Sequence, residues 1–230
     1  MEQTGTFAVD TTKRSLKQWI VGLLVLLVGL TVAHLGVTLF LMAQLGTDTF
    51  TILVEGISGT VGLSIGTCHV IMCILLMVIM LFTTKGYVKP GTVLCAFCGG
   101  WIIDFFLWVL GDAVSAASPM VLRIGAMLLG CVLLSAGMSL VIKSNSGTGP
   151  NDLVAIILTD KLPRSWKLQF RWVRIICDVV FVAVGWLLGG VLGVGTVVAA
   201  VLVGPIVQFF LPISEKLIRK FVPVLYTDGA

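Results

Sequence analysis

The sequence predicts an all-α, polytopic membrane protein: six transmembrane helices as two inverted three-helix repeats, each with a short broken or re-entrant helix. Three observations predict this. Of the 230 residues, 58% are hydrophobic and only 11% charged, whereas a soluble domain carries about a quarter charged residues. Six apolar runs each have roughly the 20 residues needed to cross a hydrocarbon core. The second half of the chain repeats the first. Such a composition excludes a water-soluble globular enzyme, a disordered chain and a nucleic-acid binder, because too few charges remain to cover a surface facing water.

The apolar runs cover residues 18–43, 64–82, 91–110, 120–142, 168–188 and 191–212. The first is too long for a signal-peptide core and has no obvious cleavage site after it. One membrane domain, 18–212, is therefore expected between cytoplasmic tails 1–17 and 213–230, with repeats at about 18–111 and 119–212. Twelve of the 15 basic residues flank the runs on one side: Lys13, Arg14, Lys17, Lys85, Lys89, Lys143, Lys161, Arg164, Lys167, Lys216, Arg219 and Lys220. The intervening loops 44–63, 111–119 and 189–190 contain none. By the positive-inside rule both termini are cytoplasmic. The net charge of +4 then reports orientation toward a lipid bilayer, with no nucleic-acid partner needed.

Cys68, Cys73, Cys95, Cys98, Cys131 and Cys177 all fall within apolar runs, where cysteine acts as a small hydrophobe. Cys95 and Cys98 have redox-motif spacing but lie in GTVLCAFCGGW, a membrane span. No His, Cys, Asp and Glu set has metal-ligand spacing. A phosphate loop and a nucleophile elbow are equally missing. Neither catalysis nor a cofactor is expected.

At an offset of 101, Leu27 matches Leu128, Gly29 Gly130, Gly36 Gly137, Leu39 Leu140, Gly46 Gly147 and Thr47 Thr148. After a three-residue insertion the offset is 104, where Ile71 matches Ile175, Cys73 matches Cys177 and Gly86 matches Gly190. GTVLCAFCGGWIIDFFL then meets GTVVAAVLVGPIVQFFL with 9 identities in 17 positions. Fixed-period self-similarity marks repeated structural units. Three spans per unit, an odd number, place the copies upside down relative to each other, a build that recurs in secondary transporters.

Each copy has a polar, glycine-rich break followed by a short apolar segment: LGTDTFTILVEGIS (45–58) and SGTGPNDLVAIIL (146–158). Gly147 and Gly149 allow a sharp reversal. Pro150 suits a first helical turn, and Asn151 and Asp152 suit a helix start. The segments are too short to span. Two readings stay open: re-entrant half-helices aiming N–H groups at a ligand, or interfacial helices resting at the headgroups.

These stretches, with RWVRIICDVVFVAVGWLLGGVLGVGTVVAAVLVGPIVQFFLP, are where the chain resembles the YczE/YyaS/YitT family of bacterial inner-membrane proteins, most of all its YczE-like branch. The resemblance implies a six-span protein of the bacterial cytoplasmic membrane, of a kind usually described as a transporter or permease. It implies no substrate. Related chains carry Pro and Asp in the first break where this one has Thr49 and Thr51, and an acid in span five where this one has Asp178.

Ionisable groups at bilayer depth are costly and are functional candidates by default. Asp178 is central in span five, with Arg174 at i−4 on the same face; Arg174 either neutralises it while snorkelling or forms a polar site with it. Asp104 lies in span three where the second copy has Gln208. His34 in span one is a packed imidazole or a proton relay. His69 in span two is read in the same way. The substrate-binding set expected is Gly46, Thr47, Asp48, Thr51, Gly147, Thr148, Asn151, Asp152, Asp104, Arg174 and Asp178, with Asp178, Asp104 and His34 as coupling candidates. The function expected is alternating-access movement of a small polar or anionic metabolite. A substrate-capture or accessory subunit of a separate complex, or a passive channel, is the alternative. Homo-oligomerisation and an energising partner are left open.

Overall fold

The computed structural model describes residues 14–83, 87–111, 113–161 and 170–226. Lys13, Lys85, Arg164 and Lys167, used above for orientation, lie outside them. All regular structure among the described residues is helical: α1 (Leu16–Ala43), α2 (Thr49–Val61), α3 (Ile65–Thr83), α4 (Pro90–Leu110), α5 (Met120–Ser144), α6 (Pro150–Lys161), α7 (Phe170–Leu187) and α8 (Val194–Phe221), then a 3₁₀ turn at Pro223–Leu225. Ser15 starts α1 with a reciprocal cap: its Oγ accepts the Gln18 N–H, and the Gln18 side chain accepts the Ser15 N–H at 2.8 Å.

Five helices, α1, α3, α4, α5 and α8, are long and apolar enough to cross a membrane. The sixth expected span, α7, has 18 residues but carries Arg171, Arg174 and Asp178, a charge load that sets it apart from a plain apolar span. At 13 and 12 residues, α2 and α6 reach only about 20 Å, short of a hydrocarbon core of about 30 Å.

The centre of the bundle is the crossing of α1 and α5. Gly29 lies against Gly137 and Gly36 against Gly130, so the two helices run antiparallel. A Cβ on Gly29 would stand 2.9 Å from the Gly137 carbonyl oxygen, and one on Gly36 would stand 2.6 Å from that of Gly130. Small residues let backbones approach this closely where lipid offers no hydrophobic drive to association. Phe40, Leu41, Ile103, Met127, Cys131 and Leu134 fill the space beside the crossing.

Around this pair, α4 packs on α1 and α8 on α5; α2 packs on α3 and α7, while α6 packs on α7 and α3. The two halves differ at one place. α3 lies along α4, with Gly66 against Gly100, whereas α7 has at most a slight contact with α8, and Gly204, the counterpart of Gly100, has open space beside it. The charged helix α7 is thus held mainly by the two short helices. Outer faces are apolar and bare, with Trp101 73% and Trp108 79% exposed, as expected where hydrocarbon covers them.

Gly36→Ala is expected to lower the thermal midpoint in mild detergent, at a cost of about 1–3 kcal/mol from overpacking. Gly59→Ala, where nothing lies within 4 Å of the added carbon, is expected to leave the midpoint unchanged or raise it. Equal loss in both variants would remove the crossing from its central role.

Candidate functional site

The site begins where α1 and α5 stop. Gln44 and Asn145, 101 residues apart, both end their helices in the left-handed conformation at φ 50°. Gly46 (φ 96°) and Gly147 (φ 143°) follow in backbone regions that favour glycine. Each break is pinned by the start of a long helix from the other half. The Gly195 N–H donates to the Leu45 carbonyl at 2.7 Å, and the Gly91 N–H donates to that of Ser146 at 3.0 Å. Two arginines finish the ends: Arg123 donates to the Ala43 and Gln44 carbonyls, and Arg14 to that of Ser144. Arg123 is therefore spent on the end of α1.

The short helices start differently. Asp48 caps α2, its carboxylate accepting the Thr51 hydroxyl at 2.6 Å and the Thr51 N–H at 3.2 Å, with the Thr47 hydroxyl at 3.4 Å. The counterpart of Asp48 is Gly149, which has no side chain to cap with; α6 has Asp152 in its first turn instead. A carboxylate therefore sits at each helix N-terminus, where the partial positive charge of the helix favours it.

Both first turns converge on one face of α7. The Thr49 hydroxyl donates to Asp178 at 2.8 Å. Arg174 donates through Nη2 to Asp152 at 3.1 Å, and its Nε lies 3.8 Å from Asp178. One guanidinium thus bridges α6 to α7, while a threonine ties α2 to the same face. Asp48 and Asp152 lie within Coulombic reach of each other, and Arg174 of Asp48. Arg174 thus faces two carboxyl groups directly, with a third, that of Asp48, within Coulombic reach. None of this has a counterpart in the first copy, where Val70 and Ile74 occupy the positions matching Arg174 and Asp178.

Of the expected residues, Asp48, Thr51, Asp152, Arg174 and Asp178 come together here, with Gly46, Thr47, Gly147 and Thr148 forming the breaks that lead in and Asn151 in the first turn of α6. Asp104 stands apart. Its carboxylate accepts the Ser64 hydroxyl at 2.6 Å and the Gly66 N–H at 2.9 Å, capping the start of α3. His34 packs edge-on against His69 at 5.4 Å, with its Nδ1 2.8 Å from the Leu30 carbonyl. His69 in turn meets Phe50 of α2 at 5.5 Å. The histidines approach the site through an apolar ring. Glu55 accepts the Val191 N–H at 2.9 Å, tying α2 to the loop before α8.

Two site residues escaped the sequence reading. Thr49 was visible only as a position where related chains carry proline, and its hydroxyl turns out to bind Asp178. Thr92 is fully buried beside Gly147; its recurring Gly-Thr pair with Thr196 was the available signal. At the C-terminal ends of α5 and α8, Lys143 and Arg219 both bond Glu215.

A double-mutant cycle by unfolding in detergent separates these roles. Arg174→Met with Asp152→Asn is expected to give a coupling of about 1–3 kcal/mol. Arg174→Met with Asp104→Asn is expected to be additive within about 0.5 kcal/mol. Coupling between Arg174 and Asp104 would put Asp104 back in the site.

A family profile described as a family of unknown function (DUF6198) matches residues 20–212. The chain is 30% identical to the uncharacterized membrane protein YczE of Bacillus subtilis over 158 residues, 69% of this chain and 70% of the relative. It is 25% identical to YyaS of the same organism over 190 residues, 82% of this chain and 92% of the relative. A Haemophilus influenzae protein is 28% identical over 194 residues, 84% of each chain. No solved structure matches. The chain is an all-α membrane protein that belongs to the DUF6198 family and is related to YczE and YyaS.

Proposed function

We propose that this protein is a secondary transporter of the bacterial cytoplasmic membrane that moves a small polar solute by alternating access. In this reading α1, α3, α4, α5, α7 and α8 span the membrane as two inverted three-helix repeats, 18–111 and 119–212, with both termini cytoplasmic. The short helices α2 and α6 are re-entrant and start near mid-membrane. The protein is a carrier and performs no chemistry on its solute.

One observation carries the proposal: the first turns of α2 and α6, one from each half, meet on the single charged face of α7. An irregular, charged backbone region is tolerated at membrane depth only where protein or water lines it, and broken helices meeting at a repeat interface are the usual build of a solute site in transporters. The exchange of contacts between halves supports the inverted arrangement. Gly29 meets Gly137 and Gly36 meets Gly130, which are the pairings a two-fold axis demands of residues 101 apart. The reciprocal hydrogen bonds from Gly195 and Gly91 repeat that logic. Without a nucleotide-binding motif in this chain, the driving force is a gradient or a separate energising partner.

Reconstituted into liposomes, the protein is expected to catalyse saturable uptake or exchange of polar metabolites, reduced at least about tenfold by Asp178→Asn, roughly the loss of one charge-assisted contact. Asp104→Asn is expected to transport at the wild-type rate per folded molecule. Ohmic single-channel currents would replace the carrier by a channel, and no flux across a broad metabolite panel would overturn the reading.

A further inference from the structure

Helix N-termini attract anions, which is why an anionic solute is the natural expectation for two half-helices that face each other. The side chains argue for the opposite sign. Asp48 already complements the start of α2, and Asp152 stands in the first turn of α6. With Asp178 they make three carboxylates against Arg174, whose guanidinium is shared by two of them. An anion entering here would meet three carboxyl groups against a single guanidinium. A cation would meet the favourable sign.

A second observation, independent of the charges, points to an occupant. Thr92 is fully buried, and its hydroxyl has no hydrogen-bond partner. That hydroxyl faces the turn leading into α6: a Cβ on Gly147 would lie 2.9 Å from it. The Thr148 hydroxyl, in the same turn, is likewise buried without a partner. Buried hydroxyls are normally satisfied, and each can accept as well as donate. Two idle acceptors beside an acid excess suit a ligand that brings both positive charge and N–H donors.

We propose that the solute is a small organic cation, a primary ammonium or a guanidinium, held between Asp48 and Asp152 with the Thr92 and Thr148 hydroxyls accepting its remaining N–H groups. The proposal rests on the reading above that α2 and α6 start at the solute site. A metal ion fits less well, because among the described residues no three His, Cys, Asp or Glu side chains are grouped closely enough to hold one. Arg174 itself demonstrates the chemistry: a guanidinium spans the gap between Asp152 and Asp178. The third carboxylate, Asp48, has only N–H and O–H donors from its own turn. It is the one left for an incoming cation.

The test is thermal stabilisation and calorimetric binding with the purified full-length protein in nanodiscs at constant ionic strength. The probes are methylguanidinium, ethanolammonium, tetramethylammonium, sodium, acetate and phosphate. Methylguanidinium or ethanolammonium is expected to bind and stabilise. Tetramethylammonium, which has the charge but no N–H, sodium and both anions are expected to leave the midpoint unchanged. Asp48→Asn keeps a good helix cap and is expected to weaken binding at least about tenfold; Thr92→Val is expected to weaken it by a smaller factor. Stabilisation by an anion or by sodium with none by the N–H cations would overturn the proposal, as would undiminished cation binding in Asp48→Asn. Cation binding without liposome flux would sink the transport reading and leave this one standing. Anion flux would do the reverse.

Discussion

The close approach of α1 and α5 is the constraint from which the other arrangements follow. With glycines on both sides of the contact, the two longest-packed backbones touch without intervening side chains, and this sets where each helix ends. The end of α1 falls beside Arg123 and the start of α8; that of α5 falls beside Arg14 and the start of α4. A residue with a side chain at Gly36 would push the helices apart and move both breaks at once. The breaks then fix where α2 and α6 begin, and those starts fix what faces α7.

On this frame the two halves differ where chemistry is concentrated. Positions that are Val70 and Ile74 in one copy are Arg174 and Asp178 in the other. Asp48 caps one short helix, while its counterpart Gly149 leaves the other without a side-chain cap. Packing differs as well: α3 lies tightly on α4 through Gly66 and Gly100, and α7 has at most a slight contact with α8. The helix bearing the charges is therefore seated on α2 and α6 instead of being locked into the row of long helices. A shift of either short helix would be felt directly at Thr49–Asp178 or Arg174–Asp152.

Charge scarcity gives the few ionic contacts within the bundle their weight. Breaking one partner of a poorly hydrated pair leaves its mate uncompensated, which costs more than an exposed pair ever contributes. Arg174 meets this by serving two carboxylates. Asp104 meets it differently, by accepting two donors at the start of α3. The same residue type thus has two unrelated duties within one bundle, and its neighbours decide which.

The membrane class, the helix positions and the breaks at Gly46 and Gly147 were determined by the sequence itself. Apolarity, length and glycine punctuation are properties of each segment alone, and a segment carries them wherever it packs. The self-match at 101 and 104 residues likewise needed no coordinates. Which acids meet was decided only by tertiary structure. Asp104 and Asp178 look alike in the sequence, each a carboxylate inside an apolar run, yet one caps α3 and the other joins Thr49 and Arg174. Asp152 and Arg174, 22 residues apart, meet because α6 packs on α7. Thr92 finds Gly147 because the start of α4 closes the break of the opposite half. These pairings arise from side chains on different helices, and their identity depends on how the helices cross, which the backbone contact of α1 with α5 sets.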